Sequence, residues 1–265
     1  MSFAEVGLTY VSVLLIGVFV SDRIAIAQWS LTRTIVNLVR QLCSQMTLPL
    51  AAELGHDHAI GARDSLQGLY ARGSAVLTLF VSVVTSGTLA FWRDFFEIWT
   101  HGAIAYDATL AIVLLLGTCV AAPAILALSY ANYSNRGPLL LWTKSLQVAI
   151  FLLLSLALIP AMGPLGAAIA LVASDIIAQF GILFTIVVTE TLRRPLRHVA
   201  LLFAIMLTIV PAGAGLGVMI GQLLPGAGIV HFLSECTLWL IVLALLAAPL
   251  ANKSVRERLI AAIPS

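Results

Sequence analysis

Long apolar runs alternate with short polar gaps along the whole chain, and this pattern predicts a bundle of membrane-spanning helices. A spanning helix needs about 20 mostly apolar residues. Backbone groups in lipid must find hydrogen-bond partners inside the structure, which for runs of this length favours helices over strands. The apolar runs lie at about residues 3–20, 24–50, 73–96, 107–131, 138–161, 164–189, 198–223 and 228–250. We therefore predict an all-α fold, a polytopic bundle of about eight transmembrane helices within residues 1–252.

The basic residues are spread unevenly among the gaps, and this predicts the orientation of the bundle. Alternate gaps, with the C-terminal tail, hold ten of the fourteen Lys and Arg residues, whereas the intervening gaps hold only Arg23 and Arg93. The ten are Arg63, Arg72, Arg136, Lys144, Arg193, Arg194, Arg197, Lys253, Arg256 and Arg258. Because short basic loops stay in the cytoplasm, both termini should be cytoplasmic. Residues 253–265 have the pattern of a short amphipathic helix lying on that membrane surface.

Composition agrees with a membrane protein and narrows the possible partners. The chain is 61% hydrophobic and 10% charged, whereas soluble domains carry about 25% charged residues. The net charge of +2 belongs to the loops and indicates no nucleic-acid partner. The three cysteines are far apart in apolar runs, so we expect buried thiols and neither a disulfide framework nor a metal site.

Small residues recur at helical spacing in two of the runs. One stripe consists of Gly213, Gly217 and Gly221, and the other of Gly166, Ala170, Ser174 and Ala178. Small side chains let helix backbones approach closely in lipid. These stripes therefore predict tight helix–helix contacts in the sixth and seventh predicted helices.

The second apolar run carries a polar face, which is the strongest functional signal in the sequence. At about 100° per residue, the polar side chains fall on one side of a helix, with Gln41 at its edge. They are Ser30, Arg33, Asn37, Arg40, Gln41 and Ser44. Because a charge at bilayer depth costs about 2.5–3.5 kcal/mol even on the mildest scale, this face should meet protein or a water-filled cavity. Two arginines with amide and hydroxyl neighbours suit an anion such as a phosphate.

Two interpretations of these arginines remain open from the residues alone. They line a substrate cavity, or they pair with buried carboxylates, for which Asp175 and Glu235 are the candidates. Glu235 is expected closer to water, near the outer end of the eighth helix. Asp175 and Gln179 lie one turn apart and either serve cavity or ion coupling or form a packing hydrogen bond.

No other motif indicates chemistry. His56-Asp57-His58 falls in the longest polar stretch, residues 53–64, and is expected to be a solvated loop, since a zinc site needs three or four ligands. Lys144 is expected to extend towards the membrane surface. No nucleophile–base arrangement or paired carboxylates are visible, so we expect no enzyme activity, no cofactor and no metal.

Four stretches follow one another along the chain and read WSLTRT at 29–34, LPLAAEL at 48–54, GARD at 61–64 and IPAMGPLGAAIA at 159–170. Together they resemble the polysaccharide-biosynthesis flippases of bacteria, the O-antigen and exopolysaccharide exporters of the multidrug/oligosaccharidyl-lipid/polysaccharide superfamily. Such flippases usually have twelve to fourteen helices in two similar six-helix lobes. The resemblance implies that residues 1–190 correspond to the second lobe and residues 198–252 to two additional helices. A first lobe would then come from a separate subunit or a second copy.

The resemblance further implies transport of an isoprenoid diphosphate-linked oligosaccharide across the bacterial inner membrane for cell-surface polysaccharide synthesis. Arg33 and Arg40 would meet diphosphate or acidic sugar, Asn37 and Ser44 would bond sugar hydroxyls, and Gln41 would border the same cavity. The last two helices, with Leu216, Leu223, Phe232 and Leu240, would form a groove for the lipid tail. The alternatives are a non-transporting accessory or truncated membrane protein and a cation-coupled multidrug exporter, which would favour acidic cavity residues.

Overall fold

The computed structural model describes residues 3–20, 22–224, 226 and 228–248, and this part of the chain is helical apart from short turns and loops. No strand occurs in these residues. The helices are α1 (Phe3–Phe19), α2 (Arg23–Ala59), α3 (Arg63–Thr100), α4 (Ala108–Ala121), α5 (Pro123–Tyr133), α6 (Gly137–Met162), α7 (Pro164–Ser174), a π-helix (Asp175–Phe184), α8 (Thr185–Thr191), α9 (Pro195–Leu223) and α10 (Ile229–Ala247). The predicted all-α class is confirmed for this part of the chain, and the predicted tail, 253–265, lies outside it.

Within the described residues, five segments are long and apolar enough to cross a membrane. They are α3, α6, the continuous stretch Pro164–Thr191, α9 and α10. The pair α4 and α5 makes a sixth if it counts as one span, although it bends by 45°. The bend follows from Pro123, which has no N–H to continue the hydrogen-bond ladder of α4. These helices indicate a multi-pass membrane protein.

The predicted loop at residues 53–64 is wrong, because α2 continues to Ala59 and α3 begins at Arg63. The polar stretch stays helical since one of its faces is buried: Leu54 is fully buried and Gly55 lies against Tyr133 of α5. The connection is a tight turn in which Gly61 has a φ of 71°, a backbone conformation that favours glycine. Both helices are consequently much longer than the thickness of a membrane hydrocarbon core, which is about 30 Å.

The basic turns lie together at one end of the bundle. Arg193, after α8, donates to Asp64 at the start of α3 over 2.7 Å. Arg136, before α6, forms an ion pair with Glu190 of α8. At the opposite end, the side chain of Gln28 donates to the carbonyl of Ala105 in the α3–α4 loop over 2.7 Å. Among the described residues, the basic gaps before α3, before α6 and after α8 therefore lie at one end of the molecule.

Close glycine contacts fix the position of α9 against α3, as the small-residue stripe predicts. A Cβ at Gly213 would lie 2.4 Å from the hydroxyl oxygen of Ser86, and one at Gly217 would lie 2.4 Å from the Cβ of Ala90. Gly166 of the other stripe approaches α6 similarly, since its Cβ would lie 2.4 Å from the carbonyl oxygen of Leu158. The predicted close packing is confirmed at these positions.

Candidate functional site

A cavity of about 480 Å³ lies between α1, α2, the α4–α5 pair, α6 and the segment formed by α7 and the π-helix. Polar residues on its wall are Arg33, Asn37, Arg40, Gln41, Ser44, Gln45, Ser129, Asn132, Tyr133, Lys144, Gln147 and Gln179; apolar ones include Leu8, Leu48 and Leu171. The wall reaches Asn132 and Tyr133 at the end of α5, so the cavity extends towards the basic end of the bundle.

The five cavity residues predicted on the second helix all line this one space. α2 brings them together because Arg33, Asn37, Arg40 and Ser44 follow one another at spacings of three or four residues, and Gln41 lies beside them. A neighbouring side of α2 is buried in the core through residues such as Val36, Val39 and Cys43. Core packing on one side of the helix thus holds the polar side towards the cavity.

Arg33 lies at the deep part of the wall and is only 5% exposed. Its Nη1 donates to the hydroxyl of Ser12 in α1 over 2.6 Å. Its guanidinium also lies over the Trp29 ring, 5.5 Å from the ring centroid, a cation–π contact that stabilises a cation away from water. These contacts hold one positive charge in a fixed position.

Arg40 takes part in a polar network centred on Asp175. Its Nη2 lies 2.6 Å from Oδ2 of Asp175, and its side chain is 30% exposed whereas that of Asp175 is 4% exposed. The amide of Gln147 on α6 donates to the other oxygen of Asp175. Asp175 is therefore a buried partner of Arg40, and Arg40 both pairs with this carboxylate and lines the cavity.

The network continues through Gln147 to two further residues. Gln179 donates to Oε1 of Gln147 over 2.9 Å, and Lys144 donates to the same oxygen over 3.2 Å. Gln179 is buried, and its own Oε1 has no hydrogen-bond partner among the described residues. Asp175 and Gln179 thus share one partner on α6, and Gln179 also lines the cavity.

The π-helix sets the relative position of Asp175 and Gln179. It begins at Asp175 and interrupts what the sequence predicts as one continuous α-helix over 164–189. Such segments are rare and occur frequently at functional sites. Periodicity cannot reveal it, because the apolar residues around it fit an α-helix as well.

Glu235 is not a partner of the cavity arginines, and its expected solvation near water is wrong. It is 3% exposed, and Nε2 of His231, one turn earlier on α10, lies 3.1 Å from its Oε1. The same oxygen packs against Gly221 of α9, since a Cβ on Gly221 would lie 3.3 Å from it.

Lys144 and Gln147 are cavity residues that sequence reasoning missed. The expected extension of Lys144 to the membrane surface is wrong, because Lys144 bonds Gln147 inside the bundle. The two residues are three apart on α6, which is the spacing that places side chains on one helix face. That spacing is the signal by which the sequence could have revealed them.

The His56-Asp57-His58 sequence lies in α2 rather than in a solvated loop. Asp57 is buried, and Nδ1 of His58 lies 3.0 Å from the hydroxyl of Tyr130 in α5. Among the residues that the structure describes, no three His, Cys, Asp or Glu side chains are grouped to hold a metal ion. Cys43 and Cys119 are buried free thiols, and Cys236 is partly buried.

The described side chains give the site a positive balance. Arg33, Arg40 and Lys144 contribute three formal positive charges and Asp175 one negative charge, which leaves +2.

Comparison of the chain with protein-family models, with curated proteins and with solved structures gave no significant match.

Proposed function

We propose that this protein is a flippase lobe that carries an isoprenoid diphosphate-linked oligosaccharide across the bacterial inner membrane. The observation that carries the proposal is the polar cavity between apolar helices, with Arg33, Arg40 and Lys144 on its wall. Charges inside a membrane bundle are costly to keep and mark substrate pathways by default. The order of sequence stretches that resembles the polysaccharide flippases supplies the substrate class.

The chemistry of the wall fits a diphosphate attached to sugars. Guanidinium groups present planar forks that match phosphate oxygens, and Arg40 retains enough exposure to reach the cavity. The amides and hydroxyls of Asn37, Gln41 and Ser44 match sugar hydroxyls in donor and acceptor capacity. The volume of about 480 Å³ falls in the range of about 300–1,000 Å³ that is usual for ligand pockets.

Asp175 acts as a resident counter-ion in this scheme. It neutralises Arg40 across 2.6 Å in this structure, and an incoming diphosphate competes with it for the guanidinium. Substrate release returns Arg40 to Asp175. This exchange keeps the arginine from being an isolated charge in the membrane at any stage.

The proposed topology has eight crossings, with α1 and α2 joining the six apolar spans and both termini in the cytoplasm. α2 lies beside candidate spans, since Leu50 contacts Gly73 of α3 and the Val39–Cys43 face belongs to the same core as α3. The basic end of the bundle then faces the cytoplasm, and the cavity extends towards the side where the substrate is made.

The lipid tail runs outside this polar cavity, along α9 and α10. Leu223 and Leu240 are largely exposed there, whereas Leu216 and Phe232 pack around Trp239 between α3, α9 and α10. An apolar chain forms no favourable contacts with the polar wall. The diphosphate and sugars of the substrate therefore occupy the polar cavity, and its lipid tail lies on the apolar surface of α9 and α10.

Complementation tests the proposal. The chain is expressed in a strain that lacks its polysaccharide flippase, alone and with a separate first-lobe segment, and surface polysaccharide is measured. We expect rescue in at least one arrangement and its loss with Arg33→Gln or Arg40→Gln at unchanged membrane abundance. Arg93→Gln is the matched control, because Arg93 is exposed and pairs only locally with Glu97 among the contacts described.

Failure in both arrangements, with the protein inserted, would contradict the proposal and favour a non-transporting accessory role. Export of cationic drugs, with loss of function on substitution of Asp175 but not of Arg33, would instead favour the multidrug exporter. The positive balance of the wall is the reason to expect no export of cationic drugs.

A further inference from the structure

Exposed arginines gather where α3 begins and where the chain turns from α8 into α9. The two segments, residues 63–72 and 192–198, contain five arginines, and all five are exposed: Arg63, Arg72, Arg193, Arg194 and Arg197. Asp64 is the one acidic residue in these segments, and it accepts a hydrogen bond from Arg193 over 2.7 Å. Five positive charges and one negative charge leave +4. We call the five arginines the arginine rim.

Packing of α9 against α3 places Arg72 and Arg197 at the same depth. Nε2 of His198 lies 2.8 Å from the hydroxyl oxygen of Ser74, and both residues are fully buried. Arg72 lies two residues before Ser74, and Arg197 lies next to His198. At 1.5 Å per residue, each arginine is within about 3 Å of this contact along its helix axis. Arg194, three residues before Arg197, lies within one further turn.

The apolar surface of both helices starts directly beyond the rim. No charged residue occurs between positions 73 and 92 in α3 or between 199 and 223 in α9. The α3 stretch covers 20 residues, about 30 Å of helix, which is the thickness of a hydrocarbon core. Close to the rim, Val76 is 54% exposed and Leu196 is 84% exposed. The arginines consequently lie at the level where phospholipid headgroups meet the hydrocarbon.

We propose that the arginine rim binds the headgroup phosphate of an anionic phospholipid whose acyl chains lie on the exposed apolar surface of α3 and α9. Guanidinium groups present planar donor forks that match phosphate oxygens. Basic residues immediately outside the hydrocarbon attract anionic headgroups. A zwitterionic lipid offers the same phosphate, but it brings an ammonium group that the positive charge of the rim repels. The rim thus selects lipids by their net charge.

A lipid fits this surface better than a soluble anion does. Inorganic phosphate fits the arginines but leaves the exposed side chains of Val76 and Leu196 uncovered. An acidic protein segment would have to cover an uncharged apolar stretch of about 30 Å that lies in hydrocarbon. A molecule with an anionic head and apolar chains matches both parts of the surface.

The lipid site is separate from the proposed substrate cavity. The described residues of the cavity wall belong to α1, α2, the α4–α5 pair, α6, α7 and the π-helix, and none of them belongs to α3 or α9. A bound lipid instead connects the start of α3 to the start of α9. Because a ligand that binds only the folded state stabilises it, bound anionic lipid should raise the unfolding temperature of the protein.

Native mass spectrometry of the purified full chain tests the lipid site, because each bound lipid adds its own mass. The delipidated protein is titrated in detergent with phosphatidylglycerol and, separately, with phosphatidylcholine of the same acyl chains. A third titration uses inorganic phosphate. We expect phosphatidylglycerol to bind at least about tenfold more tightly than phosphatidylcholine and to raise the midpoint of thermal unfolding. Inorganic phosphate should leave this midpoint unchanged.

Substitutions in the rim test which residues hold the headgroup. Arg72→Gln and Arg197→Gln should each weaken phosphatidylglycerol binding about fivefold, and the two together about thirtyfold. Both arginines are exposed, so the unfolding midpoint without lipid should stay close to that of the unaltered protein. Arg93→Gln is the matched control for each single change, because Arg93 lies near the other end of α3 with its side chain 70% exposed. It should leave the affinity unchanged.

Three results would each overturn the proposal: no binding of phosphatidylglycerol, equal binding of the two lipids, or equal losses on Arg93→Gln and Arg197→Gln. Equal stabilisation by inorganic phosphate would overturn it as well, since it would show a site for a soluble anion. The assay involves no oligosaccharide, so its result does not depend on the proposed transport.

Discussion

The Arg40–Asp175 pair makes an asymmetric prediction, because its two partners differ in burial. The Asp175 side chain is 4% exposed and that of Arg40 is 30% exposed. Arg40→Met leaves a buried carboxylate without this cation, which costs about 3–5 kcal/mol for a buried pair. Asp175→Leu leaves Arg40 able to turn towards the cavity. This substitution should therefore cost about 1–3 kcal/mol, which is the usual cost of leaving one polar group without a hydrogen-bond partner. The estimate for Asp175→Leu includes the loss of the carboxylate oxygen that accepts a hydrogen bond from the Gln147 amide.

The double variant Arg40→Met/Asp175→Leu should recover most of the stability lost in Arg40→Met. Replacing a buried pair by apolar side chains of similar volume is often neutral, since both desolvation costs disappear. The two single effects, which sum to about 4–8 kcal/mol, should therefore fail to add, and the coupling energy should be at least about 2.5 kcal/mol.

The assay is reversible unfolding of the purified protein in detergent micelles, followed by circular dichroism, for the four members of the cycle. Asp175→Leu should unfold at higher denaturant than Arg40→Met, and the double variant should lie above Arg40→Met. Additive single effects, or a more damaging Asp175→Leu than Arg40→Met, would refute the reasoning that the buried carboxylate depends on Arg40 more than Arg40 depends on it.

The same unfolding assay checks two packing predictions. Gly217→Ala should cost about 1–3 kcal/mol, because the new Cβ meets a Cβ of α3 that cannot rotate away, whereas Gly215→Ala, with nothing within 4 Å, should be neutral or stabilising by up to about 1 kcal/mol. Equal effects of the two glycine changes would contradict the close α3–α9 contact. Trp239→Phe should cost about 1–3 kcal/mol, since its indole N–H donates to the Gly213 carbonyl over 2.9 Å. An unchanged midpoint would show that this bond contributes nothing.

Much of the fold can be predicted from the apolar runs, because they have the length of about 20 residues that a membrane-spanning helix needs. All eight predicted runs are helical where the structure describes them. The errors occur where polar residues continue a helix, as at Glu53–Ala59, or where backbone geometry changes inside an apolar run, as at Asp175. Burial of Leu54 and the α-to-π change are tertiary effects that composition does not record.

The cavity shows a similar division between local and tertiary information. The α2 residues could be grouped from the sequence because one helix carries them all at regular spacing. Lys144 and Gln147 come from α6, and their approach to Asp175 depends on how α6 packs on the π-helix. The choice of Asp175 rather than Glu235 as partner of Arg40 likewise required the structure, since both are single carboxylates in apolar runs.

Direct binding of an isoprenyl diphosphate tests the central claim, that the cavity arginines recognise a membrane-embedded anion. The purified protein is titrated with the diphosphate and, in parallel, with the alcohol that has the same isoprenyl chain. We expect binding of the diphosphate to weaken as salt is raised, and to fall at least tenfold for Arg33→Gln and Arg40→Gln but not for Arg93→Gln. Equal affinity for the alcohol, or equal affinity of all three variants for the diphosphate, would contradict a cationic substrate site.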